Sequence, residues 1–258
     1  MGHLGKILMA LFIISPLCNI LHSQDLSDEL VGTYDANVIY TQQAVGGITA
    51  HTEGWGFFFR RARIPSIFRK EFWEAEAVTM HDEHEYKLVN QENPDASPYY
   101  FGKLNGMETI RLGLGVMKML WRKNDLSYVQ VDYVYAVGAS LAILKPVYLD
   151  VLVSNPVTGQ VSPVSQEYNP NTDNPTNIYG RSSVFDGFGQ LSFYPGAYGR
   201  IALNFDFSNK HRTIKAIEVG VVVDVYDKVI PMMAFVQNNQ IFTNLYLNFN
   251  IGKRWGQI

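Results

Sequence analysis

The stretch QVDYVYAVGASLAILKP, residues 130–146, is apolar enough to suggest a helix in a bilayer, yet Gln130, Asp132, Gly138 and Ser140 all fall on even positions. Val129, Val131, Tyr133, Tyr135, Val137, Ala139, Leu141 and Ile143 make one face; Gln130, Asp132, Ala136, Gly138 and Ser140 make the other. A period of two is that of a strand, whose successive side chains point to opposite sides. A membrane helix would leave Asp132 without a partner in hydrocarbon, whereas a strand turns it away from the apolar face.

The same alternation recurs. Ile110, Leu112, Leu114 and Val116 oppose Thr109, Arg111, Gly113 and Gly115. Ile201, Leu203, Phe205 and Phe207 oppose Arg200, Asn204 and Asp206, and Ile217 to Val225 oppose Glu218, Gly220 and Asp224. Leu245, Leu247, Phe249 and Ile251 oppose Asn244, Tyr246, Asn248 and Asn250. Two earlier runs, Ile48/Ala50 and Trp55/Phe57/Phe59, sit on opposite parities, so a tight turn falls near Glu53-Gly54. A strand over Phe72 to Val78 places Glu74 and Glu76 inward. That makes eight strands; a ten-stranded variant using Tyr34 to Tyr40 and part of a long loop also fits.

Connections alternate between short (Ile64 to Arg69, Lys123-Asn124-Asp125, Ser208 to Arg212) and long (His81 to Asn105, Asp150 to Pro195, Asp227 to Gln240). Short turns on one side and long loops on the other are the pattern of an outer-membrane barrel, broken only by the first hairpin. A soluble secreted barrel or sandwich shows the same alternation. Composition separates the two, because the polar face mixes large ions with glycine and alanine, as a narrow lumen filled by side chains requires. The expected lumenal charge network is Arg60, Glu74, Glu76, Arg111, Asp132, Arg200, Asp206, Glu218 and Asp224, and buried charges of this kind must find partners. The apolar faces end in Trp73, Trp121, Tyr128, Phe207 and Trp255, as interfacial girdles do.

Charged residues are only 17% of the chain and the net charge is −3, so the basic footprint of a nucleic-acid binder is missing. Lys6, the apolar run Ile7 to Ile14 and Leu21-His22-Ser23 read as an export signal over residues 1–23. Residues 24–43 are then an N-terminal periplasmic segment and 44–258 the barrel. Cys18, the only cysteine, lies in that signal and is removed with it unless it is lipidated; its removal excludes disulfides, thiolate metal sites and cysteine nucleophiles.

His81-Asp82-Glu83-His84-Glu85 could suggest a metal site, but reads better as an acidic, solvated loop. Gly187-Phe188-Gly189 lacks the lysine of a phosphate loop. Ser140, His51 and His81 are the available parts of a lipid-modifying hydrolase, yet no one-strand spacing joins a serine, a histidine and a carboxylate. No catalytic residue, metal or cofactor is expected.

The C-terminal run NLYLNFNIGKRWGQI resembles the terminal-strand signal read by barrel-insertion machinery, with Tyr246, Phe249 and Trp255 as its aromatic elements. Together HTEGWGFFF, YYFGKLNG, LKPVYLDV and GKRW resemble a family of exported barrel proteins from the Bacteroidota, over roughly residues 44–256. The chain departs from that family where Met80-His81-Asp82-Glu83-His84 replaces a basic His-Pro-Lys-Glu-like stretch. The resemblance implies an integral outer-membrane protein without enzymatic activity, and an accessory subunit of a larger insertion or secretion assembly. Its partners would be the lipid bilayer and other outer-membrane proteins, met through the lipid-facing wall or the long loops. The alternatives are a lipid-modifying hydrolase or a surface adhesin.

Overall fold

The computed structural model describes residues 40–90, 96–121, 129–154, 160–210 and 212–256. The expected signal, Cys18, all of the ten-strand variant's Tyr34 to Tyr40 except Tyr40 itself, Lys123 to Tyr128 and His211 lie outside the described residues.

Alternation becomes strand wherever it is sustained. In chain order the strands are β1 Gln42–His51, β2 Gly54–Ser66, β3 Arg69–Met80, β4 Lys87–Leu88, β5 Tyr99–Tyr100, β6 Asn105–Trp121, β7 Gln130–Pro146, β8 Tyr148–Ser154, β9 Val161–Glu167, β10 Ile178–Arg181, β11 Ser192–Asp206, β12 Thr213–Tyr226 and β13 Ile241–Trp255. Eight of them form a closed antiparallel barrel in the order β1-β13-β12-β11-β7-β6-β3-β2. Closure pairs Gln42 with Trp255 and His51 with Tyr246, which leaves the ring no free edge.

Register follows from the two-faced pattern, since a slip by one residue would turn every ion onto the apolar face. Glu74 stands opposite Arg60, Glu76 opposite Arg111, and Asp132 opposite Asn204. Pro195 is placed where it costs least: β11 pairs with β7 there, while its pairing with β12 begins one residue later, at Gly196.

Inward glycines make room for rings. A Cβ on Gly113 would come within 2.1 Å of the Tyr198 hydroxyl, and one on Gly115 within 2.3 Å of the Phe72 ring. The lumen is therefore packed solid at these levels, with Phe72, Met117, Val134, Tyr198, Val222 and Tyr246 in one buried cluster.

The long connections are built differently from the irregular loops that their Asn- and Pro-rich composition suggests. The longest contains β8, β9 and β10, a separate three-stranded sheet in the order β10-β8-β9. Tyr99, Leu149, Val151, Tyr168 and Ile178 form its buried side, so alternation in YLDV served a second small core that composition masked. The loop between β12 and β13 folds back into the barrel mouth. There Ile230, Met232 and Met233 pack on Met80, Met107, Leu144 and Phe242. Asn238 holds this plug: its Oδ1 accepts from the Met232 and Met233 amides at 2.9 and 3.0 Å, and its Nδ2 donates to the Met233 carbonyl at 2.9 Å.

Candidate functional site: the lumenal charge network

Each strand contributes to the lumen the parity that carries its polar residues, and the network is assembled across the ring. All nine ions expected inside are buried. Arg60 on β2 donates to Glu74 of the adjacent β3 at 3.1 and 2.9 Å and to Glu218 of β12 at 2.7 and 3.2 Å. Its guanidinium also lies 4.3 Å from the Phe72 ring centre, a cation–π contact. Arg111 on β6 holds Asp224 in a two-bond fork at 2.9 and 2.7 Å and donates to Glu76 at 2.9 Å. Arg200 on β11 bonds Glu76 and lies 3.2 Å from Glu74.

This central layer sets three guanidinium groups against four carboxylates. The excess negative charge is met by phenols, for Tyr198 donates to Glu74 and Tyr246 to Glu218, each at 2.8 Å. Hydrogen bonds onto ionised acceptors are stronger than neutral ones. Buried charges persist in such a layer because each is paired and hydrogen-bonded.

Nearer the short turns, Asp132 accepts from Lys70 at 3.0 Å and from Gln130 at 2.7 Å. Asp206 bonds Arg254 and accepts from the Ser208 amide at 2.9 Å. Lys70, Arg254, Tyr198 and the Ile230/Met232/Met233 plug are the inward residues that the sequence reading passed over. The first three share the parity of their strands' polar faces, so carrying the alternation to the strand ends would have found them; the plug has no such signal.

Between Arg60, Lys70, Asn204 and Arg254 the lumen leaves a cavity of about 10 Å³, room for a single water. Among the described residues, the plug packs over the lumen at the long-loop end and ion pairs cross its middle, tying opposite walls together.

At the long-loop mouth, Asn244 gathers a second polar group. It accepts from Thr52 at 2.6 Å, faces His51 Nδ1 at 3.3 Å and donates to Glu53 at 3.0 Å. Burial raises the Glu53 carboxyl above its ordinary value, and Asp82, Glu83 and Asp224 add to the rise against the Asn244 hydrogen bond.

The possible hydrolase parts do not converge. His51 on β1 and Ser140 on β7 stand four strands apart in an eight-strand ring, on opposite sides. The hydrogen bonds of His51 go to Asn244 and the Glu53 amide. In the acidic loop His84 pairs with Asp82 at 2.7 Å and Glu85 with Lys103 at 2.7 Å. Of the C-terminal aromatics, Tyr246 points into the lumen, while Phe249 and Trp255 stand partly exposed on the outer face.

No protein-family model and no curated protein sequence matches the chain. Among solved structures, Ail, the attachment invasion locus protein of Yersinia pestis, aligns at 7% identity and a TM-score of 0.38, over 84% of this chain and 100% of that one. Ail in complex with the heparin analogue sucrose octasulfate aligns at 8% and 0.38, over 84% and 100%. Neisserial surface protein A aligns at 6% and 0.38, over 84% of this chain and 97% of that chain. At this level of similarity the functional reading rests on the chain's own residues.

Proposed function

We propose that the chain is an integral outer-membrane barrel with a structural or interaction role, an accessory subunit of a larger outer-membrane assembly for protein insertion or secretion. One observation supports the membrane placement above all: through the middle of its strands the ring turns apolar side chains outward and ions inward. Leu114, Val137 and Ile251 are each 69% exposed on the outer wall, while Glu218 and Asp224 are 0% exposed. A continuous apolar wall of this size calls for hydrocarbon rather than water. Closure meets the bilayer's demand that every backbone amide be paired. An even strand number, with short turns at one end and long loops at the other, fits an outer membrane with the short turns in the periplasm. On that placement Phe249 and Trp255 serve as the outward aromatics of the C-terminal insertion signal.

The long-loop surface supports the interaction role. Phe185 is 83% and Phe235 72% exposed there. Phe235 has a φ of 64°, a costly conformation for a bulky residue, and stacks on Phe101 with ring centres 6.1 Å apart. An aromatic held exposed at such a cost suits a contact surface for neighbouring outer-membrane proteins. No hydrolytic role is assigned, and replacing Ser140 and His51 by alanine is expected to leave lipid A composition unchanged.

Two measurements test the reading. Spin labels at Val131, Leu203 and Val221 are expected to report acyl chains; water contact at all three overturns the membrane placement. Affinity purification from native membranes in mild detergent, followed by mass spectrometry, is expected to recover stoichiometric companions. A barrel that elutes alone ends the subunit reading.

A further inference from the structure

The outer wall is uneven in two respects, its charge and its depth. Outward-facing cations gather at the short-turn end of the strands, where Arg61, Arg63, Arg69, Lys118, Lys215 and Lys253 are exposed and Glu71 is the one outward acid among the described strand residues of that rim; Glu108, also outward, lies on β6 at the long-loop end. Six cations against one anion at one rim make a belt suited to phosphate.

Above that belt a groove of about 880 Å³ crosses the wall. It follows the row Glu71, Val116, Tyr135, Ile201 and Val221, which are register neighbours across five strands. Four inter-strand steps of about 4.8 Å give a path of roughly 19 Å. One leaflet's hydrocarbon is roughly 15 Å deep, so a path inclined with the barrel's shear matches the length of an acyl chain. The groove is open at Gly199, which faces outward with no atom within 4 Å of where its Cβ would stand. Its lower mouth is lined by Arg69 and Glu71. Lys118 is the register neighbour of Arg69, and its ammonium lies 5.7 Å from the Tyr135 ring centre, directly beside the groove.

We infer that this groove holds one phospholipid of the periplasmic leaflet, its acyl chain along Tyr135, Gly199 and Val221 and its phosphate on Arg69 and Lys118. The inference rests on the membrane placement proposed above. Arg69 is paired with Glu71 at 2.8 Å, both half exposed, and an exposed pair of this kind exchanges readily for a phosphate partner. The basic belt favours an anionic headgroup over a zwitterionic one, and the apolar path accepts any saturated chain.

The test uses the full chain inserted into vesicles of phosphatidylethanolamine and phosphatidylglycerol in equal parts, then extracted in mild detergent for native mass spectrometry. The parent protein is expected to retain one phospholipid, with phosphatidylglycerol over-represented. Gly199→Leu adds a side chain to the groove at a position where its Cβ meets no atom, and is expected to insert normally and lose the bound lipid; Val221→Phe narrows the same groove and serves if Gly199→Leu does not insert. Arg69→Gln with Lys118→Gln is expected to keep the lipid but return its headgroup ratio to that of the vesicle. An inserted parent protein without bound lipid, or a groove-filled variant that retains it as the parent does, overturns the site while leaving the membrane placement intact. A parent protein that does not enter the vesicles overturns both.

Discussion

Arg111 reaches across the lumen to Asp224, with Nε donating to Oδ1 at 2.9 Å and Nη2 to Oδ2 at 2.7 Å. The two residues sit on β6 and β12, which β7 and β11 separate in the ring. A planar fork matched to a carboxylate makes this a rigid strut between non-neighbouring walls. Nothing in the local alternation of either strand pairs them.

Cutting one side of that strut leaves a buried ion without its partner. Arg111→Met is expected to destabilise the barrel by about 3–5 kcal/mol. Arg111→Met combined with Asp224→Leu is expected to recover part of that loss, since no unpaired Asp224 remains. Urea unfolding in lipid vesicles measures both. Equal stability of the single variant and the parent contradicts the assigned pairing.

The contact between Gly113 and Tyr198 sets a second expectation. An added methyl group would stand 2.1 Å from the phenol oxygen and 2.8 Å from the Val137 carbonyl. Gly113→Ala should therefore cost about 1–3 kcal/mol through overpacking. Tyr198→Leu removes the nearer clash but also the Tyr198 hydrogen bond to Glu74, so Gly113→Ala should cost less in the Tyr198→Leu background than in the parent. An equal cost in both backgrounds would show that the strain lies in the backbone contact.

A packed lumen bears on conduction. Among the described residues, the Ile230/Met232/Met233 plug and the crossed ion pairs fill the lumen down to a cavity of about 10 Å³ near the short turns. Planar-bilayer recordings of the full chain are expected to show no steady stepwise conductance. A persistent open level would mean that the plug is not in place.

Glu53 makes stability depend on pH in a predictable direction. Its folded value is raised, chiefly by burial, so the folded chain holds this proton more tightly than the unfolded one. Its contribution is then most favourable below the ordinary glutamate value of about 4.3 and is lost as pH rises through the higher folded value. Glu53→Gln keeps an acceptor for Asn244 Nδ2, now at 3.0 Å from the carboxylate, and removes the titration. Thermal unfolding should place the variant at or above the parent near neutral pH, with the gap closing in acid. A gap that widens in acid reverses the sign and rules out this account.

The sequence alone marked the barrel strands and the face that the cleanest of them turn inward, while admitting both eight and ten strands; the closed ring of eight decided the number. Period-two alternation belongs to a single strand, so QVDYVYAVGASLAILKP marks β7 at Gln130–Pro146 without reference to any neighbour. For the same reason Glu74, Asp132 and Glu218 could be assigned to the interior from parity. Only the tertiary structure decided which of them meet, because closure and shear bring residues of distant strands to one level: Arg60 and Glu218 are 158 positions apart and 2.7 Å in contact. The β8–β9–β10 sheet and the mouth plug were decided there too. The plug's Ile230, Met232 and Met233 acquire a common side only where Met80, Met107, Leu144 and Phe242 of the barrel give them a floor, and the sheet's Leu149, Val151 and Ile178 only where Tyr99 and Tyr168, distant in sequence, close over them.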